Sequence, residues 1–455
     1  MKKLGKVVLS LFLVMAMGLG LCGCGNNGAG TGDGGSKDGV IEITWWSYYA
    51  QSNMEYITTM INDFNASQDK YHVTMVNQGG AAEIRTKLLS TKQENLPSLF
   101  TGTPITTGYY ASSDFVAPMQ QFLDSDTDDW DSGIYDVVRS SYCDLDGNMI
   151  GWPFGVSSAG WFINTDLLQQ AGYSIDQITN FEVMAQAATA IVDKGLAKYG
   201  IAFGTNGVDL YDMLTLQGVD MVDADNGYSG EVTSCIFDEG DTAKALNKAM
   251  DIFAKLYKNK VALTYGSDIN SNSIPLFVKG DCAMFYATNS YANKVVTYNP
   301  DFEYVFIPSV PVDANAKYLG NALSEGTGSY ICNTGDEAEM QGAYEFIKFL
   351  AKPENQAYWA TCTGYIPYTE EAYAVETYQT WMTTNFPSAT KVKEILLNSP
   401  GELRGPYVTI PNALQTACSD LYYAVSLEPT GDISEFIQEG IDVVDEAIEI
   451  QALRK

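Results

Sequence analysis

Residues 41–76 alternate strand, helix and strand, and that order is the tightest constraint on the fold. Ile41-Glu42-Ile43-Thr44-Trp45-Trp46 sets apolar side chains at alternate positions, the period of a half-buried strand. Ser52-Asn53-Met54-Glu55 then has the spacing of a capping box, where hydroxyl and carboxylate satisfy the free N–H groups of a helix start. Met54, Ile57, Ile61 and Phe64 share one helical face, and Tyr71-His72-Val73-Thr74-Met75-Val76 supplies the next strand. Such a unit favours a largely parallel sheet covered by helices on both faces.

The segment before this unit reads as an address. Met1, Lys2, Lys3 and Lys6 precede an apolar run of about 15 residues, Val7–Leu21, shorter than the roughly 20 needed to cross a bilayer. Leu21-Cys22-Gly23-Cys24 places leucine at −3 and glycine at −1 of Cys24, the pattern of a lipoprotein signal. Residues 1–23 are therefore expected to be a removable signal, with a diacylglyceryl group on Cys24 holding the chain to a membrane. After Cys24, the rest of residues 24–39 is Gly, Asn, Ser, Thr and Asp with Ala29 and Lys37 and almost nothing apolar, the composition of a flexible tether.

The remaining length suits two or three domains with full cores. The net charge of −30 repels nucleic acid and anionic lipid and gives no general attraction to anionic solutes. Six cysteines, Cys143, Cys235, Cys282, Cys332, Cys362 and Cys418, include no C-x-x-C pair, and sequence does not choose between disulfides and free core thiols. His72 is the single histidine, which argues against a histidine-driven hydrolase or a histidine metal site. No metal or cofactor is expected.

Further along, Asp146-Gly147-Asn148 reads as a tight turn, and so does Asp223-Ala224-Asp225-Asn226-Gly227; neither has the spacing of a calcium loop. Thr242–Lys260 reads as a helix with Leu246, Ala249, Met250, Phe253 and Leu256 inward. Ala343, Phe346, Ile347 and Leu350 line another, which Lys352-Pro353 ends while starting the next. Trp45, Trp46, Tyr48 and Tyr49 gather at the end of the first strand, where open α/β sheets form ligand crevices. Trp45, in register with Ile41 and Ile43, is expected in the core, and Trp46 and Tyr48 in the cleft, where aromatic faces stack on sugar C–H faces.

Four ordered strings carry a resemblance: Ile43-Thr44-Trp45-Trp46-Ser47, Phe64-Asn65-Ala66, Phe277–Met284 and Phe346–Asn355. Together they resemble the extracellular solute-binding proteins of ABC importers, family 1, and Thr363-Gly364-Tyr365-Ile366-Pro367 with Leu403-Arg404-Gly405 resembles its glycerol-3-phosphate-binding branch. The resemblance implies a two-lobed, type II periplasmic-binding-protein-like α/β fold, each lobe a mostly parallel sheet flanked by helices, with the ligand between lobes. It places residues 40–151 plus about 285–330 in the first lobe and 152–284 plus about 331–455 in the second.

By the same resemblance Pro153–Ser158 is a chain crossing that offers Ser157 and Ser158, and Gly326-Thr327-Gly328-Ser329 is another that brings Gly326 and Thr327 close to a ligand. Tyr286 and Asn289 follow a strand that enters at Asp281 and faces the cleft, while Tyr365 and Arg404 match ligand-contacting residues of the branch. Trp46, Ser47, Tyr48, Gly79, Gly80 and Thr103 complete the expected site. The branch's ligand-contacting tyrosine is replaced here by Gln78-Gly79-Gly80-Ala81, and its glutamate by Thr103-Pro104.

Those departures, the acidic surface and the aromatic content favour a neutral sugar or oligosaccharide, with glycerol-3-phosphate or a glycerophosphodiester as the alternative suited to Arg404. The expected protein is a monomeric receptor on the outer face of a Gram-positive membrane, anchored through Cys24, that closes on a small carbohydrate and hands it to the transmembrane subunits of an ABC permease. A secreted glycosidase working through two carboxylates, and an adhesin without a pocket, are the readings from other classes.

Overall fold

Residues 39–49, 51–204, 207–266 and 272–453 are described in the computed structural model. Cys24, the signal and nearly all of the tether lie outside the described residues, as does the side chain of Ser52 in the expected capping box.

The opening alternation folds as its pattern dictates. β1 (Ile41–Ser47) and β2 (Tyr71–Asn77) run parallel in register from Ile41 opposite Tyr71 to Ser47 opposite Asn77, and Ile43, Trp45 and Ser47 are fully buried. Helix Gln51–Ser67 connects them and buries Ile57, Met60, Ile61 and Phe64. β3 (Leu99–Gly102) adds to β1 in parallel, and the short β4 (Val116–Ala117) and β5 (Trp152–Ser157) complete the first half of the chain.

The second sheet is assembled from β6 (Ala159–Asn164), β7 (Tyr199–Phe203), β8 (Ala262–Thr264), β9 (Cys282–Thr288) and β10 (Tyr304–Pro308). Its order is β10-β6-β9-β7-β8, with β9, β7 and β8 parallel and β10, β6 and β9 antiparallel. β11 (Glu325–Cys332) then returns to the first sheet, whose order is β2-β1-β3-β11-β4, and also pairs with β5. Both sheets are thus parallel where helical crossovers join the strands and antiparallel where a strand comes from the other lobe.

This pairing corrects the expected lobe boundaries. β9 and β10 belong to the second sheet, not the first lobe, because β9 sits between β6 and β7 and its buried run from Cys282 to Ala287 needs neighbours on both sides. β11 and helix Glu337–Leu350, which packs on β1, belong to the first lobe beyond residue 331. The chain passes between sheets at Ser158, between β10 and β11, and again before helix Ser388–Leu397, which packs on β10. Helices Pro411–Leu427 and Ile433–Ala452 then pack against each other and on helix Gly240–Lys258 of the second lobe.

Period-two alternation divides the second sheet between two cores. Phe162, Phe285 and Phe306 join a core continuous with Trp45, Phe100 and Tyr330 of the first lobe, while Trp161, Ile163, Phe203 and Met284 face the other way, toward Phe181 and Phe253. Leu246, Ala249, Met250, Phe253 and Leu256 are buried on helix Gly240–Lys258 as their spacing requires. Asp336 caps helix Glu337–Leu350 by accepting from the Ala338 and Glu339 N–H groups, and Pro353 opens the next helix at a position that needs no N–H. The six cysteines beyond the signal are free thiols.

The turn at Asp144–Asn148 forms with Gly147 at φ +86° and the Asp144 carboxylate accepting from the Asp146 and Asn148 N–H groups. The turn at 223–227 is less ordinary. Ala224, Asp225 and Asn226 all have φ near +55°, followed by Gly227 at +84°, a left-handed turn built largely from residues with a Cβ. Asn226 Oδ1 holds it by accepting from the Met221 N–H at 2.7 Å. A left-handed residue other than glycine costs roughly 1–2 kcal/mol. Ala224→Gly should therefore raise the unfolding free energy by about 1 kcal/mol in urea titrations; a destabilised variant would show that the turn carries no strain at this position.

Candidate ligand-binding cleft

β1 and β3 are parallel neighbours, so the residues that follow them, Tyr48 and Tyr49 in one case and Pro104–Gly108 in the other, emerge on the same rim of the sheet. Two cavities open there. The larger, ≈310 Å³, is lined by Tyr48, Tyr49, Tyr56, Tyr291 and Tyr365, with Asn53, Ser290, Lys294 and Thr327 among its polar groups. The smaller, ≈70 Å³, lies between Pro104, Thr107 and Gly108 on one side and Tyr211 and Tyr228 on the other, with Ser324, Glu325 and Arg404 on its wall.

Aromatic packing fixes the larger cavity. Tyr365 stacks on Trp359 at 5.8 Å and 16°, Trp359 stacks on Phe154 at 4.8 Å, and Tyr49 meets Trp359 edge-on at 5.6 Å. Each such pair contributes about 1 kcal/mol beyond area burial, which keeps the tyrosine faces in place before any ligand arrives. The Tyr49 hydroxyl donates to Thr327 Oγ1 at 3.1 Å, tying the end of β1 to β11. The Tyr48 hydroxyl and Ser47 Oγ are buried without hydrogen-bond partners. Orphaned polar atoms of this kind call for an explanation, and a hydroxylated ligand supplies one.

The structure gathers only some of the expected site residues. Tyr48, Thr327 and Tyr365 line the larger cavity, while Arg404 lies in the smaller, exposed and stacked 3.7 Å above the Tyr228 ring with no ion pair among the described residues. Trp46 is half-buried against the first core, and Trp45 is in that core as expected, its indole N–H donating to Thr101 Oγ1. Gly79 and Gly80 precede helix Ala81–Ser90 and line neither cavity; Thr103 Oγ1 is 3.3 Å from Thr106 Oγ1 just outside the smaller one.

Other expected contacts are used internally. Ser157 and Ser158 are buried at the crossing, and the Ser158 N–H donates to Asn289 Oδ1 at 2.7 Å. Asn289 Nδ2 donates to the Gly364 carbonyl at 2.7 Å, so this side chain staples three segments that meet between the lobes. The Tyr286 hydroxyl donates to Asp212. Gly326, at φ +122°, is required by close approach: a Cβ there would lie 1.9 Å from the Gly155 carbonyl oxygen. Tyr49, in the aromatic cluster at the end of β1, lines the larger cavity, but residue types alone did not single out Tyr56, Tyr291, Tyr211, Tyr228 or Glu325, since none sits in a motif.

Glu325, on the wall of the smaller cavity, interacts electrostatically with the buried Asp212, and Asp212 in turn with the buried Asp209. Asp209 is 0% exposed; its Oδ1 accepts from the Leu210 N–H, its Oδ2 has no partner, and burial pushes the carboxyl up to about 7. Burial also raises Asp212, with the charge of Glu325 adding to it, and burial raises Glu325 to about 7.

Two outcomes follow from these contacts. Asn289→Ala leaves a buried donor and a buried acceptor unpaired and should cost ~3 kcal/mol in chemical denaturation; a loss below ~1 kcal/mol would remove the staple from the account. For Asp209 the folded state holds the proton more tightly than the unfolded chain, so its contribution is favourable below about pH 4 and is lost as pH rises toward 7. Asp209→Asn should therefore gain on the order of 4 kcal/mol over wild type at pH 8 and little at pH 4. A difference independent of pH would show that Asp209 ionises freely in the fold.

The match to known proteins agrees with this architecture. The family profile of the bacterial extracellular solute-binding proteins matches residues 59–386. The sn-glycerol-3-phosphate-binding periplasmic protein UgpB of Pectobacterium atrosepticum is 25% identical over 366 residues, covering 79% of this chain and 80% of that protein. Its counterpart from Escherichia coli K12 is 24% identical over 372 residues, covering 80% and 83%. Among solved structures, the sugar-binding protein MalE of Xanthomonas citri superposes with a TM-score of 0.72 at 19% identity, covering 91% of this chain and 98% of that one. UgpB of Mycobacterium tuberculosis, in complex with glycerophosphocholine, gives 0.71 at 16% identity over 92% and 100%. Among the described residues no helix is long and apolar enough to cross a membrane. The chain is a member of the bacterial extracellular solute-binding proteins.

Proposed function

We propose that this chain is the receptor of an ABC importer, that it captures a small carbohydrate between its lobes, and that it delivers the closed complex to the transmembrane subunits of a permease as a monomer. One observation carries the choice of solute: the ≈310 Å³ cavity is walled by five tyrosines and by amide and hydroxyl groups, with Lys294 as its charged group and no carboxylate among its described lining. Tyrosine faces stack on sugar rings while their hydroxyls exchange hydrogen bonds with ligand hydroxyls. The volume lies at the lower end of the range of small-molecule sites.

Related proteins support the class. Solved structures of this fold include a cyclic maltosyl-maltose binding protein from Arthrobacter globiformis and a maltose-bound protein from Thermotoga maritima. The glycerol-3-phosphate relatives keep the phosphodiester alternative in view: a phosphate would have two cations to meet, Lys294 in the tyrosine cavity and Arg404, which stacks on Tyr228 outside it. A glycosidase would need two carboxyls across one bond. Glu325 is the single acid lining either cavity, and Asp212 is buried behind it.

The lipobox at Cys24 and the glycine-rich segment after it support tethering to the outer face of the cell membrane, with enough reach to dock on a permease in the same bilayer.

A thermal-shift panel of mono- and oligosaccharides, polyols and glycerophosphodiesters tests this reading. A carbohydrate at 100 times its dissociation constant should add about 2.7 kcal/mol to the folded state. Tyr365→Ala should weaken that ligand at least tenfold by removing one stacking face. A response to phosphodiesters alone would transfer the function to the alternative, and no response from any compound would remove the receptor reading.

A further inference from the structure

The smaller cavity has features that a neutral sugar does not use. Its charged lining is one carboxyl, Glu325, and one guanidinium, Arg404, yet the two form no ion pair. Arg404 is stacked on Tyr228, whose hydroxyl donates to the Gly405 carbonyl at 2.8 Å, so the pair is held by its own segment. The Glu325 side chain makes no hydrogen bond or ion pair among the described residues, its backbone alone pairing with β5, and the neighbouring Ser324 Oγ is buried without a partner. Asp212, 1% exposed, adds a second carboxyl behind Glu325, and its Oδ1 is also unpartnered.

We infer that this recess recognises a protonated amino group carried by the carbohydrate, with Glu325 as its counter-charge and Ser324 Oγ as a second acceptor. The inference rests on the receptor reading above and names one substituent of the solute. Three arguments converge on a cation. An ammonium offers three donors and no acceptor, which matches a wall of unpaired carboxyl and hydroxyl oxygens. Tyr211 and Tyr407 line the same recess, and aromatic rings attract a cation. At ≈70 Å³ the recess admits an amino or aminomethyl substituent while the sugar ring stays in the tyrosine cavity. A phosphate placed here would meet the Arg404 guanidinium and the Glu325 carboxyl together, and a like charge this close disfavours it. The acidic chain, at −30, also concentrates cationic solutes near its surface.

Glu325 and Thr327 are two residues apart on β11, so the two cavities are neighbours along one strand and a single solute can enter both.

The test is isothermal titration of the full chain with D-glucosamine, chitosan-derived diglucosamine, N,N′-diacetylchitobiose, cellobiose and glucose 6-phosphate, for wild type and Glu325→Gln. The amines should bind at least tenfold more tightly than their acetylated or hydroxyl counterparts, and Glu325→Gln should erase that difference. Cellobiose or glucose 6-phosphate binding as tightly as the amines would overturn the amine site and leave the receptor standing. Binding of no carbohydrate in the panel would count against both. If Glu325→Gln does not fold, the wild-type ranking of amine against acetylated and hydroxyl partners decides the matter alone.

Discussion

The close approach of β5 and β11 is the constraint on which the cleft depends. Gly155 and Gly326 let the two backbones pass at a distance where a single Cβ would collide with a carbonyl oxygen, and Gly326 adopts a backbone conformation that glycine alone enters at little cost. Pairing there sets Glu325, Thr327 and the Tyr49 hydroxyl in fixed relation. With residues two apart on a strand separated by about 7 Å, the tyrosine cavity and the charged recess become adjacent compartments. Asn289 secures the same junction from the second lobe by binding the backbone at Ser158 and Gly364. The rigid part of the site is therefore backbone geometry, and the side chains decorate it.

Much of this was legible in the sequence, and the reasons for the rest are physical. Period-two and period-3.6 patterns place Trp45, the helix at 240–258 and the helix pair at 337–363 because burial acts on local spacing. Strand pairing is not local. The buried runs of β9 and β11 look alike as sequence, and their partners lie far away in the chain, so the lobe to which each belongs could not be read from them. Asn289 illustrates the same limit for function: an amide suits a sugar hydroxyl and a backbone peptide equally, and the choice is made by segments 131 and 75 residues distant. Tyr365 and Arg404 were read as one site from the resemblance, whereas the fold sets them in neighbouring cavities. Glu325 carried no motif to distinguish it from the other acidic residues.

Placement of those acids matters more than their number. Exposed carboxylates repel one another weakly, since salt screens beyond about 10 Å. Asp209 and Asp212, fully buried, are spared that screening, and each has one carboxyl oxygen with no partner. Burying such groups unpaired is unfavourable for the unliganded fold. Replacing them by apolar residues would remove the penalty, so their presence beside a cavity is the pattern of a site that is completed from outside.

Completion from outside also explains why closure responds to the solute. The walls of the charged recess come from both lobes, with Pro104 and Thr107 on the first and Tyr211 and Tyr228 on the second. Buried bridges between lobes, such as Asn289 to Gly364, sit at the junction itself, while the bridge from Arg85 to Asn412 is exposed. An exposed polar contact of this sort contributes at most about 1 kcal/mol. A group bound in the recess touches both walls only when they are together, so its interaction free energy appears in the closed state and is missing from the open one. Shifting such an equilibrium from mostly open to mostly closed needs a differential of about 5 kcal/mol. Exposed bridges cannot provide that, but a charge-assisted contact to Glu325 combined with stacking on Tyr365 can. Selectivity and closure then have the same origin: a solute that fails to reach Glu325 leaves the second wall without its partner, and the lobes have less reason to stay together.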